Sequence, residues 1–190
     1  MSQADRHAET MHAEQASALL GRAWQAVLGD APPAQGVRVL TAQWALETNL
    51  GQQMHGHNFG GIKASSGVPG RNYRTVEGYG ATRRELKARF RVYASAYAGA
   101  EDYVRLLATR YPAALVRARA GDVPGFARAL AQGGYFTADP GAYARGLEHH
   151  YQVLRGGSPR ASMGVPPGAS LAESALLGLL RALCQRSERA

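Results

Sequence analysis

The chain has 190 residues, 45% of them apolar, which is room for one domain with a sizeable core and argues against disorder by composition. Lys and Arg total 22 against 14 Asp and Glu, and the net +8 suits a polyanionic partner such as nucleic acid, an acidic membrane surface or an anionic wall polymer, without choosing among them. The single cysteine, Cys184, excludes an internal disulfide framework and a Cys-based zinc site; no HExxH pair, N-terminal apolar signal region or apolar run of about 18 residues is present.

Taken in chain order, residues 1–8 read as a disordered start and 9–155 as one domain. Ala16, Leu19, Leu20, Ala23, Trp24, Val27 and Leu28 recur at steps of three and four, which predicts an amphipathic helix ended by Gly29 and Pro32-Pro33. A second helix is expected over about 35–49, carrying Val39, Leu40, Trp44 and the carboxylate Glu47. From Gly51 to Gly80 glycine is dense, and loops with short strands near 61–64 and 73–77 are expected, followed by a strand at 88–93. Helices resume with the stripe Tyr97, Ala100, Val104, Leu107, Ala108, then one opened by Pro112, one capped by Asp122 and running to Gln132, and one started by Asp139-Pro140. Residues 156–169, rich in Gly, Pro and Ser, read as a linker, and 170–190 as a leucine-striped C-terminal helix and tail.

Glu47 is the residue with the clearest chemical reading. It sits near the C-terminus of a helix, just before a glycine loop. The helix dipole there disfavours negative charge, and so does an apolar surround. A carboxyl kept protonated near neutral pH is what a general acid requires. The alternative is an exposed Glu in a last helical turn. Trp24 and Trp44 fall on helical stripes as core residues, with sugar stacking by Trp44 as the alternative. His55 and His57 flank Gly56 as polar loop residues without a third ligand, so no metal is expected. The basic residues are nearly all Arg, which reads as base-composition bias rather than a nucleic-acid signature; Arg83-Arg84 and Arg89–Arg91 are expected on a solvated face.

The stretch Ala42-Gln43-Trp44-Ala45-Leu46-Glu47-Thr48-Asn49-Leu50-Gly51-Gln52, followed by Asn58-Phe59-Gly60-Gly61-Ile62-Lys63-Ala64, resembles the family-73 glycoside hydrolases. These are the peptidoglycan β-N-acetylglucosaminidases that include the C-terminal domain of the flagellar FlgJ type. Phe90-Arg91-Val92-Tyr93, then Ser95, Ala100, Asp102 and Tyr103, then Gly134–Pro140 with Tyr143-Ala144, match in the family's order over about residues 37–155. The resemblance implies a mainly α, α+β lysozyme-like fold: a helical lobe, a small β-lobe and a cleft between them. It implies Glu47 as proton donor and a second carboxylate at Glu77, 13 residues before Phe90, with Glu85 as the competing choice. It also implies Tyr135 as an essential cleft residue, and Asn58, Phe59, Lys63 and Tyr143 as substrate-binding positions. The implied reaction is cofactor-free hydrolysis of the β-1,4 bond after N-acetylglucosamine in peptidoglycan glycan strands.

This chain departs from the family where Leu50 replaces an aromatic and where Asn58-Phe59-Gly60-Gly61 replaces NLFG. An extra residue, Phe136 or Ala138, also enters the segment after Tyr135. Two rival readings stay open: a lytic transglycosylase, which needs one Glu, and an inactive relative that binds glycan as an assembly part. The C-terminal helix is the expected contact for a secretion or flagellar apparatus. Neither nucleic acid nor a membrane span is expected. The expected location is the periplasm or outer wall, reached by a non-standard export route.

Overall fold

The computed structural model describes residues 11–77, 84–136 and 139–156. The expected disordered start, the expected C-terminal helix and all but the first residue of the expected linker lie outside these. Helix α1 (Ala13–Leu28) begins before the apolar stripe because Gln15 reaches back and accepts a hydrogen bond from the His12 backbone N–H at 3.0 Å. That satisfies one of the donors a helix start leaves open. It ends at Gly29, whose φ of 76° closes the last turn.

Helix α2 (Ala34–Thr48) is the internal one. Every residue from Val39 to Thr48 is buried, as expected of a helix that must pack on all sides. It lies against α1, against α4 (Pro112–Arg119) and against α6 (Pro140–Leu154). Trp44 is fully enclosed and its indole N–H donates to the Met54 sulfur at 3.2 Å, so the sugar-stacking alternative falls and the core reading stands.

Helix α3 (Ala96–Arg110) is capped by the Ser95 hydroxyl, which accepts from the Ala98 N–H. Helix α5 (Val123–Gln132) is capped by Asp122 with Pro124 in its first turn, and α6 by Asp139, which accepts from the Gly141 and Ala142 N–H groups. Each acidic cap meets the open donors and the positive dipole end together. α3 packs on α1 and α4, and α5 on α4 and α6. One core results, centred on Trp24, Trp44, Tyr103, Phe126 and Tyr143.

The β-lobe is a two-stranded antiparallel hairpin, β1 (Gly70–Glu77) with β2 (Arg84–Arg91), in register from Gly70 opposite Arg91 to Glu77 opposite Arg84. The strand expected near 61–64 reduces to a single bridge, Lys63 to Phe90, between Gly61, at a φ of 59°, and the turn at 66–67. The strand expected at 88–93 instead occupies 84–91, so Glu85 lies within it. Arg91 is also corrected. It is not on a solvated face, for its guanidinium pairs with Asp102 of α3 at 2.9 Å, and the Tyr93 hydroxyl donates to the same carboxylate at 2.6 Å. This clasp ties the end of the hairpin to α3. Burial first, then the bond to Asp102, push the Tyr93 phenol well above its ordinary range.

Two measurements check this packing. A Cβ at Gly99 would overlap the His57 carbonyl oxygen, so Gly99→Ala pushes α3 off the 52–58 loop and costs about 1–3 kcal/mol in chemical denaturation. His150 on α6 is desolvated, with His149 beside it, and its imidazole is lowered to about 4. Because the unfolded chain binds that proton more readily, the contribution of neutral His150 is complete above about pH 6.5 and is lost as pH falls toward 4. His150→Gln should remove a component of order 1–3 kcal/mol from the acid slope of stability over that window, read by denaturation at stepped pH.

Candidate active site

The last turn of α2 delivers Glu47 to the junction between the helical body and the loop that leads to the hairpin. Asn49, Leu50 and Gly51 all take positive φ, at 50°, 53° and 83°. The Thr48 hydroxyl donates to the Trp44 carbonyl at 2.6 Å and accepts from the Gly51 N–H at 2.9 Å, which locks the turn. Glycine is required at 51, since a Cβ there would overlap the Met11 carbonyl and stand 3.1 Å from Trp44. Leu50, in place of the family's aromatic, is 46% exposed on this turn.

Glu47 is 5% exposed. Burial disfavours its charged form, and a hydrogen bond given to it favours that form. That bond comes from the Tyr143 hydroxyl of α6, which donates to Glu47 Oε1 at 2.9 Å. Tyr143 Oη in turn accepts from Gln43 Nε2 at 2.8 Å, and Gln43 Oε1 accepts from the Tyr103 hydroxyl of α3. Three helices therefore converge on one carboxyl through a chain of buried polar atoms. The exposed last-turn reading of Glu47 is excluded.

The other oxygen, Oε2, faces the 58–62 loop, where a Cβ on Gly61 would stand 3.5 Å from it. That loop is held by Asn58. Its amide donates to the Ile62 carbonyl at 2.8 Å and the Arg91 carbonyl at 3.2 Å, and its oxygen accepts from the Ile62 N–H at 2.8 Å. The Tyr135 hydroxyl donates to the Gly60 carbonyl at 2.8 Å. Gly60 is packed so closely that a Cβ would lie 2.6 Å from that hydroxyl and 2.8 Å from Tyr103. The rearranged Asn58-Phe59-Gly60-Gly61 thus puts its glycines where the backbone passes the tyrosines and the carboxyl.

The residues expected to meet substrate are placed unequally. Asn58 is 5% exposed, while Phe59, Tyr135 and Tyr143 have no exposed surface. They form the wall behind the site: Asn58 and Tyr135 brace the loop, Phe59 packs near Trp44, and Tyr143 holds the carboxyl. Phe136, one of the two candidates for the extra residue, stacks on Tyr143 at 4.0 Å between ring centroids. Lys63 is half-buried on the bridge to Phe90. Gln43 was not singled out by the sequence reading. Its signal was its place one turn before Glu47 as the lone amide on an otherwise apolar helix face.

Glu77 closes β1, opposite Arg84. It shares register parity with Tyr73 and Phe90; Phe90 is buried, and Tyr73 stacks on His55 at 4.5 Å. Glu85, opposite Val76, shares parity with the exposed Asn72, Lys87 and Arg89 and with Arg91, which turns inward to Asp102.

Known proteins resemble this chain in sequence and in fold. The chain is 35% identical over 133 residues to the peptidoglycan hydrolase FlgJ of Escherichia coli K12, a match that takes in 65% of this chain and 42% of that protein. The chain therefore spans about two fifths of the length of the curated relatives it matches. The glycoside hydrolase domain of Salmonella typhimurium FlgJ, in a C-terminally truncated form, superposes with a TM-score of 0.53 at 30% identity, over 77% of this chain and 99% of that one. A mutant peptidoglycan hydrolase from Sphingomonas sp. A1 superposes with a TM-score of 0.60 at 32% identity, over 75% and 94%. The glucosaminidase family model, described as mannosyl-glycoprotein endo-β-N-acetylglucosaminidase, matches residues 35–155. That span runs from the first turn of α2 to the end of α6 and takes in Glu47 with the residues that brace it, and by it the chain belongs to the glucosaminidase family, the family-73 glycoside hydrolases.

Proposed function

We propose that the protein hydrolyses peptidoglycan, cutting the β-1,4 bond after N-acetylglucosamine, with Glu47 as general acid. The observation that carries the reading is a carboxyl almost withdrawn from water and held on one oxygen by Tyr143, its other oxygen facing the Gly60-Gly61 loop. A group so placed can deliver a proton in a set direction to a glycosidic oxygen, which is the task of a general acid. The names of the relatives, peptidoglycan hydrolases from several bacteria, support the polymer as substrate.

Glu77 serves as the second carboxylate in this reading. Glycoside hydrolysis uses a pair, about 5 Å apart in retaining enzymes and about 6.5–9.5 Å apart in inverting ones, where the gap admits water. A place 13 residues before Phe90, as the family motif implies, supports Glu77 over Glu85, and Glu77 shares register parity with the buried Phe90 and with Tyr73. Tyr135 acts by holding the Gly60 carbonyl, and with it the loop that faces Glu47. Lys63 and the exposed Leu50 are positions from which glycan can be touched. The work is done at the cell wall, where the polymer is. Segment 170–190 serves as the contact with a secretion or flagellar apparatus that would bring the protein there. No helix among the described residues is long and apolar enough to cross a membrane.

Clearing of purified sacculi tests the assignment. Glu47→Gln should lower the rate by about 10³-fold or more, and Glu77→Gln by about 10²-fold or more, while Glu85→Gln stays within about threefold of wild type. Absence of clearing by the wild-type protein supports the glycan-binding alternative. The digest is then read by mass: reducing N-acetylglucosamine ends are expected, and anhydro-sugar ends would instead identify a lytic transglycosylase.

A further inference from the structure

We infer that Gln43 is a positioning residue for Glu47: oriented by Tyr103, its amide sets the direction of the Tyr143 hydroxyl and so assigns the acid proton of Glu47 to Oε2. The inference rests on the reading of Glu47 as the general acid and deepens it.

The argument follows the proton inventory of each group. Gln43 is fully buried and sits four residues before Glu47, on the same face of α2. Its amide oxygen has lone pairs and no proton, so the contact with the Tyr103 hydroxyl must be donated by tyrosine. With the oxygen turned to α3, the NH2 group is turned to α6, and it donates to Tyr143 Oη at 2.8 Å. Tyr143 has one proton. Its oxygen is occupied as acceptor, and the proton runs on to Glu47 Oε1 at 2.9 Å. Oε1 is therefore an acceptor and cannot also carry a proton along the same line. The carbonyl oxygen is the better acceptor of a protonated carboxyl, so a protonated Glu47 that accepts from Tyr143 on Oε1 carries its proton on Oε2, the oxygen that faces Gly61.

A chain of this kind is one-way, and its members polarise one another in the same sense. Were the amide reversed, Tyr143 would donate to Gln43, and Glu47 would have to turn its own proton inward to Tyr143, away from the loop. The Tyr103 hydroxyl, donating to Gln43 Oε1, is the partner of the amide in the orientation that turns its NH2 group to Tyr143. The side chain of Gln43 touches neither solvent nor substrate, so its effect should appear in the rate of proton delivery and not in glycan binding.

The test uses soluble, peptide-stripped glycan strands from peptidoglycan, with the full chain. Gln43→Met keeps the volume and removes both hydrogen bonds. Its kcat should fall about 10²-fold, the cost of a misplaced catalytic group, with KM within about twofold. Tyr143→Phe should lose a similar factor, and adding Gln43→Met to it should cost less than about twofold more, because both changes cut the same chain. Gln43→Met leaves the Tyr103 hydroxyl unpaired by the amide and loses stability. The pair Tyr103→Phe/Gln43→Met removes that hydroxyl and serves in its place should the single variant not fold, as judged by circular dichroism. Wild-type kcat in a folded Gln43 variant, a loss confined to KM, or losses that multiply in the double variant would overturn the inference. Full activity in Glu47→Gln would instead overturn the parent reading, so the two failures are told apart.

Discussion

A carboxyl group inside a helical body must be neutral, paired or hydrogen-bonded, and the structure around Glu47 follows from that requirement. The bond from Tyr143 to Oε1 joins α6 to the end of α2 at this buried carboxyl. Gln43 and Tyr103 extend the same solution to α3. The polar chain does for the interior what the apolar stripes do elsewhere: it sets which helices meet and in what rotation. A core of leucine and alanine alone would tolerate several registers of these helices. A tyrosine whose proton must reach one oxygen tolerates far fewer.

The loop between α2 and the hairpin is shaped by a second constraint, close approach. Gly51 and Gly60 stand where a side chain would overlap a carbonyl or a tyrosine, and Gly61, beside the Glu47 carboxyl, takes a φ of 59°. Asn58 then replaces regular structure by making three hydrogen bonds to the loop and to β2. The result is an irregular segment as well satisfied as a helix, and function-bearing loops on a rigid body are commonly built in this way. The Asp102 clasp on Arg91 and Tyr93 sets the base of the hairpin against α3, so both lobes refer to the same helix.

The residues named by resemblance to the glucosaminidase family come together in the fold. Tyr135, Tyr143, Asn58 and Phe59 all lie around Glu47 or the loop it faces, and all four are buried. A motif records that a residue is needed near the chemistry. Whether it meets the sugar or braces a residue that does depends on which side of the backbone is filled, and motif spacing carries no information on that.

Local chemistry in the sequence determined the helices and most of their ends. Pro112, Asp122, Asp139 and Gly29 act within one turn of themselves, and apolar stripes at helical spacing need no distant partner to be read. Glu47 was legible for the same reason, as a carboxyl at a helix end before a glycine turn. Only the tertiary structure decided that the 61–64 stretch pairs through Lys63 alone, that Arg91 turns inward to Asp102, and that Gln43 is linked to Glu47 through Tyr143. Each of these depends on a group brought from far along the chain: Asp102 for Arg91, Tyr103 and Tyr143 for Gln43. A side chain's hydrogen-bond partner is selected by packing across elements, and that selection is not written in the residues on either side of it.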